Sequence, residues 1–195
     1  MIHLRLLFVV AALTAACGQS IPEQPAGIVR DPAPEVGDVS LPDLDTGGSD
    51  FPFIAADGEI LVVYFGYTSC PDVCPTTLAD LRRAMADLDD AERVDVAMAT
   101  VDPERDTPEV ISGYLHSFFP EGHPLRTEDD AELRAAADAF GADYEVTTSE
   151  DGDVEVAHTG FLYAVDDAGE LALTWPFGTT WEDMQGDLLW LLDGD

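Results

Sequence analysis

Apolar and polar positions alternate with two periods along this chain, and the periods change at defined points. Glu59-Ile-Leu-Val-Val-Tyr-Phe-Gly-Tyr67 is an unbroken β-branched and aromatic run, as a central strand covered on both faces requires. After Cys74, Pro75 opens a helical pattern with Leu78, Leu81, Met85 and Leu88 on one face. Val94 to Val101 reads as a second buried strand. Thr107-Pro108-Glu109 opens a helix expected to reach about Phe119, with proline in its first turn. A further helix is predicted over 129–140, ended by Gly141.

Tyr144–Thr148 and Val154–Val165 follow as strands, the second interrupted around His158-Thr159-Gly160. Glu170–Trp175 is its hairpin partner across Asp166-Asp167-Ala168-Gly169. Trp181–Leu192 closes the chain with a helix. Strand, helix, strand, helix, hairpin and closing helix make an α/β sandwich of thioredoxin type. The helix and strands between the second helix and the final hairpin are insertions to that plan: an inserted helix and β-hairpin.

The first 17 residues follow a different rule. Met1-Ile-His-Leu-Arg5 is a short positive start, Leu6–Ala16 is apolar, and Cys17 follows two alanines. That is the pattern of an export signal, and the run is too short for the roughly 20 apolar residues a bilayer span needs. Ala15-Ala16-Cys17-Gly18 resembles a bacterial lipoprotein signal, in which the cysteine is acylated. Thr14 stands where such signals prefer leucine, so simple cleavage stays open as the alternative. Either outcome puts the domain on the extracytoplasmic side. Residues 18–38 carry prolines 22, 25, 32 and 34 and little apolar period, which predicts a spacer, with the domain occupying 39–195.

Charge narrows the function. Forty Asp and Glu face eight Lys and Arg, all eight of them arginine, for a net charge of −32. Such a surface repels phosphate backbones and excludes nucleic acid as a partner. The acidic residues occur in every predicted helix and loop, which favours a solvated, self-repelling surface over a dedicated cation platform.

Three cysteines are too few for a disulfide framework, and Cys17 belongs to the signal. Cys70 and Cys74 lie where a core strand turns into a helix, the place at which open α/β sheets put ligands. With Pro75 at the first helical position, Cys74 is the expected N-cap, and a helix N-terminus lowers a thiol's pKa. Two thiolates four residues apart suit copper(I) or zinc, and equally a disulfide. Thioredoxin-type exchangers keep two residues between their cysteines; this pair has three, which leaves room for a metal.

His3 leaves with the signal; His116 and His123 are expected to face solvent. His158, 84 residues after Cys74, begins the last hairpin and is either a ligand or an ordinary loop histidine. Asp102, Glu104 and Asp106 follow the second strand and are read as structural, through helix capping and a local pair with Arg105. Asp43–Asp50 imitates a calcium loop but has Ile54 at the twelfth position, so that reading fails. The Arg and Thr pattern of a peroxide reductase is absent.

Gly66-Tyr-Thr-Ser-Cys-Pro-Asp-Val-Cys-Pro-Thr-Thr-Leu78, Val101-Asp-Pro-Glu-Arg-Asp-Thr-Pro-Glu109 and the late His158 together resemble the Sco/SenC copper-chaperone family. The resemblance covers roughly 39–194. It implies a membrane-anchored thioredoxin-like fold that binds copper, as Cu(I) or Cu(II), through Cys70, Cys74 and His158. It also implies a metallochaperone, not an enzyme, serving the dinuclear copper site of cytochrome c oxidase. Its partners would be the copper-acceptor subunit of that oxidase, a copper donor and a thiol reductant. The competing role is a thiol-disulfide reductase that keeps the acceptor's cysteines reduced. Here a lipidated Cys17 would replace the transmembrane helix used by some members.

Overall fold

The computed structural model describes residues 21–193. Cys17 and the segment expected to be an export signal lie outside the described residues. The strands are β1 (Ser40–Asp43), β2 (Ser49–Pro52), β3 (Ile60–Gly66), β4 (Val94–Thr100), β5 (His123–Leu125), β6 (Tyr144–Thr148), β7 (Val154–His158), β8 (Leu162–Val165) and β9 (Leu171–Trp175). The helices are α1 (Val73–Ala86), α2 (Pro108–His116), α3 (Asp130–Phe140) and α4 (Trp181–Asp193).

Seven strands form one sheet in the order β2-β1-β5-β4-β3-β8-β9, and β6-β7 stand apart as a two-stranded hairpin. β3 is buried at every position, parallel to β4 and antiparallel to β8, which is why its sequence shows no alternation. The α/β thioredoxin-like architecture with inserted α3 and β6-β7 is therefore the one the hydrophobic pattern implies. Phe140 of α3 packs edge-on against Phe53, Phe65 and Tyr163, with ring centroids 5.0–5.3 Å away, so the insertion is welded into the core. Among the described residues no helix is long and apolar enough to cross a membrane.

Four local features differ from the sequence reading or add to it. α1 begins at Val73 with Asp72 as N-cap, so Cys74 is the second helical residue and not the cap. α2 ends at His116, three residues early, where Pro120 is already approaching and restricts Phe119. Residues 44–48 form the turn of the β1-β2 hairpin, between the paired strand residues Asp43 and Ser49, with Gly47 and Gly48 at φ 76° and 85°. That hairpin and β5 are too short and too polar to show a period.

The fourth concerns the Pro-rich stretch. Its latter part is a strap laid along the free edge of β9. Ile28 exchanges two backbone hydrogen bonds with Thr174, at 2.8 and 3.0 Å. Leu171 N–H donates to Pro34, Val36 N–H donates to Gly169, and the Val36 side chain is fully buried. Proline cannot extend a central ladder, but along an edge only alternate residues need to bond.

Candidate metal centre

β3 ends at Gly66, and the chain crosses the C-terminal end of the sheet before α1 begins. Thr68 anchors this crossing: its N–H and hydroxyl both donate to Asp106, which is fully buried and also accepts the Thr100 hydroxyl at 2.6 Å. Arg105 bonds Asp102 and lies over the Tyr67 ring, 5.8 Å from its centroid. Asp102 and Asp106 of the loop after β4 are thus structural, as expected, though Asp106 holds the cysteine loop and does not cap α2.

Cys70 and Cys74 are both free thiols. The Cys74 N–H donates to Cys70 Sγ at 3.3 Å. Burial works against the Cys70 thiolate. The N–H groups of Cys74 and Asp72, with the Cys74 and Tyr67 side chains, outweigh it and bring its pKa below the usual thiol value. Cys74 is fully buried, and its pKa is pushed up to about 12 by that burial. The expectation of two low-pKa thiols is corrected to one, because desolvation at the second helical residue exceeds what the helix terminus supplies.

His158 is the last residue of β7, held opposite Tyr144 in the inserted hairpin. Thr159 secures the exit: its N–H donates to Asp143 O at 2.8 Å, and its Oγ1 accepts from Asp143 N–H at 3.0 Å. The ring stands edge-on to Tyr64 and Tyr67, with centroids 6.0 and 5.6 Å away. Its Nδ1 lies 3.2 Å from Thr159 O, so Nδ1–H donates there and Nε2 is left as a lone-pair donor. Nε2 is 3.6 Å from Cys74 Sγ. Burial lowers the His158 pKa, keeping the ring neutral near pH 7.

The two sulfurs and Nε2 all lie within 4.8 Å of one another. Among the described residues no other trio of His, Cys, Asp or Glu brings its ligand atoms so close. Two soft thiolates and a neutral imidazole form a donor set suited to copper(I) and also to zinc. Cys70 and His158 border a cleft of about 450 Å³ lined also by Tyr67, Pro71, Val156, Gly160 and Phe177, so the site is reachable from solvent on their side, with Cys74 buried behind them. The roles of Tyr64, Tyr67, Thr68 and Thr159 went unread in the sequence, because their partners are distant in the chain or are backbone atoms.

The other histidines depart from expectation. His116 Nε2 is 2.9 Å from Asp45 and 3.1 Å from Gly122 O. His123 is not a loop histidine: Nδ1 and Nε2 lie 2.9 Å from Asp43 and Asp95, and its ring stacks 4.5 Å from Phe51.

Comparison with known proteins agrees with this picture. The SCO1/SenC family matches residues 44–193. An SCO2-like protein of Rickettsia felis is 32% identical over 177 residues, which cover 87% of this chain and 84% of that protein. The solution structure of apo Sco1 from Thermus thermophilus has a TM-score of 0.73 at 32% identity, covering 85% of this chain and 96% of that one. Bradyrhizobium japonicum ScoI with copper bound gives 0.62, also at 32% identity, covering 77% and 95%.

Proposed function

The chain belongs to the SCO1/SenC family, and from that premise we propose that it is a copper metallochaperone tethered to a bacterial membrane. Cys70, Cys74 and His158 hold the cargo, and the dinuclear copper site of cytochrome c oxidase receives it. Lipidated Cys17 supplies the tether on the extracytoplasmic face. The observation that carries this reading is the convergence of Cys70 Sγ, Cys74 Sγ and His158 Nε2 within 4.8 Å, from segments 84 residues apart. The copper-bound relative supports the choice of copper over zinc.

The chemistry follows from the environment of each donor. Cys70 is the more acidic thiol and loses its proton the more readily, whereas Cys74 gives up its proton only as the metal arrives. His158 is neutral with Nε2 facing Cys74 Sγ at 3.6 Å, so the proton that must leave on binding is the thiol's and not the ring's. Three donors satisfy copper(I); copper(II) takes a further ligand, which the open side of the cleft admits. The same opening lets an acceptor's ligands replace these one at a time.

A second reading is favoured by the split between the thiols. Cys70, the more acidic, would attack a disulfide sulfur of the acceptor and form a mixed disulfide. Cys74 would then displace it, leaving the acceptor as two thiols and this chain as a disulfide. A thiol reductant would restore the pair. That chemistry needs no His158.

The His158→Ala variant separates the two. Anaerobic copper(I) titration of the reduced protein should show tight binding lost and thiol exchange retained; undiminished affinity sinks the three-ligand site. In cells, failure of oxidase assembly with this variant counts against a purely reductive role.

A further inference from the structure

The strap joins the domain at the same end of the sheet as the cysteines. Leu162 of β8 lies opposite Tyr64 near the end of β3, and Trp175 of β9 lies opposite Leu162. Trp175 therefore marks the metal end of β9. The strap runs antiparallel to β9, with Ile28 against Thr174 near that end and Glu35 against Glu170 at the other. The chain arrives beside the metal centre and then runs away from it.

A buried carboxylate holds the point of arrival. Asp187 of α4 is 1% exposed and accepts from Ala26 N–H at 2.7 Å, Gly27 N–H at 2.8 Å and the Trp175 indole at 2.8 Å. Three charge-assisted bonds to one desolvated group make a firm attachment. Gly27 is pressed onto β9, where a Cβ would come within 2.8 Å of Leu173. Phe177, two residues past Trp175, lines the cleft over Cys70 and His158.

The clasp also shortens the leash. Ala26 lies nine steps along the chain from Cys17, a reach of roughly 30 Å, against roughly 60 Å if the strap were loose as far as Val36. A domain of this length is about 40 Å across. The net charge of −32 pushes the domain away from an anionic lipid surface, so a loose leash would let it stand off.

We propose that the strap and its Asp187 clasp turn the metal-binding end toward the bilayer, presenting copper to an acceptor seated at the membrane surface. The orientation rests on the lipidated Cys17 of the reading above. The test uses the full chain in nanodiscs containing a gadolinium-chelate lipid, with broadening read from backbone amide NMR signals. Gly160, Phe177 and Gly178, at the metal end, should broaden at least twofold more than Gly58 and Ala168 at the far end. Asp187→Ala should level that difference, and Asp187→Asn, which keeps an acceptor oxygen and guards against misfolding, should reduce it. Equal broadening at both ends, or more at the far end, overturns the orientation; a gradient untouched by either variant overturns the clasp. If the intact mass lacks a lipid and the chain elutes apart from the discs, the tether itself is wrong. A copper titration on the same sample shows separately whether the metal reading holds.

Discussion

Two histidines in this molecule have been made into opposite instruments. His158 stands between Tyr64 and Tyr67 with Nδ1–H bonded to a carbonyl, and burial keeps it neutral. His123 stands between two carboxylates. The hydrogen bond with Asp95 raises its pKa most, burial opposes, Asp43 adds to the rise, and the result is held up to about 9. A neutral ring offers a lone pair to a metal; a cationic ring has none and serves as a bridge. His123 ties three strands, since Asp43 belongs to β1, Asp95 to β4 and His123 to β5. β1 and β5 share one paired position, Asp43 with Leu125, flanked by Leu44 N–H donating to Pro124 O and Arg126 N–H donating to Pro42 O, and the bridge reinforces that short junction.

The largest test of this contrast is a crossed pair of substitutions. His158→Ala should weaken copper(I) binding by more than the roughly 10–100-fold that loss of a supporting partner costs, while the denaturant midpoint changes little. His123→Ala should do the reverse, leaving copper affinity intact and lowering stability by about 2–3 kcal/mol, because Asp43, 1% exposed, loses its cation. Copper binding lost in both variants would dissolve the distinction.

Next in size is the pH response of the copper site. Cys74, with its pKa near 12, is protonated at neutral pH and must release that proton on binding. Apparent copper affinity should therefore rise by at least about tenfold per pH unit between pH 7 and 8. Calorimetry in buffers of different ionisation enthalpy should count at least about one proton released; zero would show that Cys74 is not a thiolate ligand.

The stability of the His123 bridge should move the other way. Its folded pKa is raised above the ordinary 6.5, so its contribution is full below about pH 6.5 and is lost as pH rises through about 9. The difference in melting temperature between the wild type and His123→Gln should shrink across that window. A constant difference would mean that the bridge is not cationic. The smallest effect belongs to Asp95→Asn, whose carboxylate is 39% exposed: about 0.5–1 kcal/mol by denaturant titration, well below the cost of Asp43→Asn.

The two histidines were not equally legible. Cys70 and Cys74 announce a site because they share one short segment at the end of a buried strand. His158 shows no local sign of its role; the residues left it open, and family resemblance supplied the assignment. His123 was read as a solvent-facing loop residue, because β5 is three residues long and its partners lie 80 and 28 residues away. The strap was read as a spacer for a related reason: its prolines suit extended chain, and extended chain is also what an open sheet edge accepts.

The sequence by itself determined the secondary elements with long apolar periods, the thioredoxin-like order, the cysteine pair and the acidic surface. Each of these is a local property, carried by periodicity, composition or neighbours within a few residues. Tertiary structure alone decided which histidine is neutral, which thiol is acidic, where Asp106 and Asp187 are fastened, and where the strap arrives. Those properties depend on burial and on partners far away in the chain. Desolvation and hydrogen bonding act through space, and only the folded chain says which groups share that space.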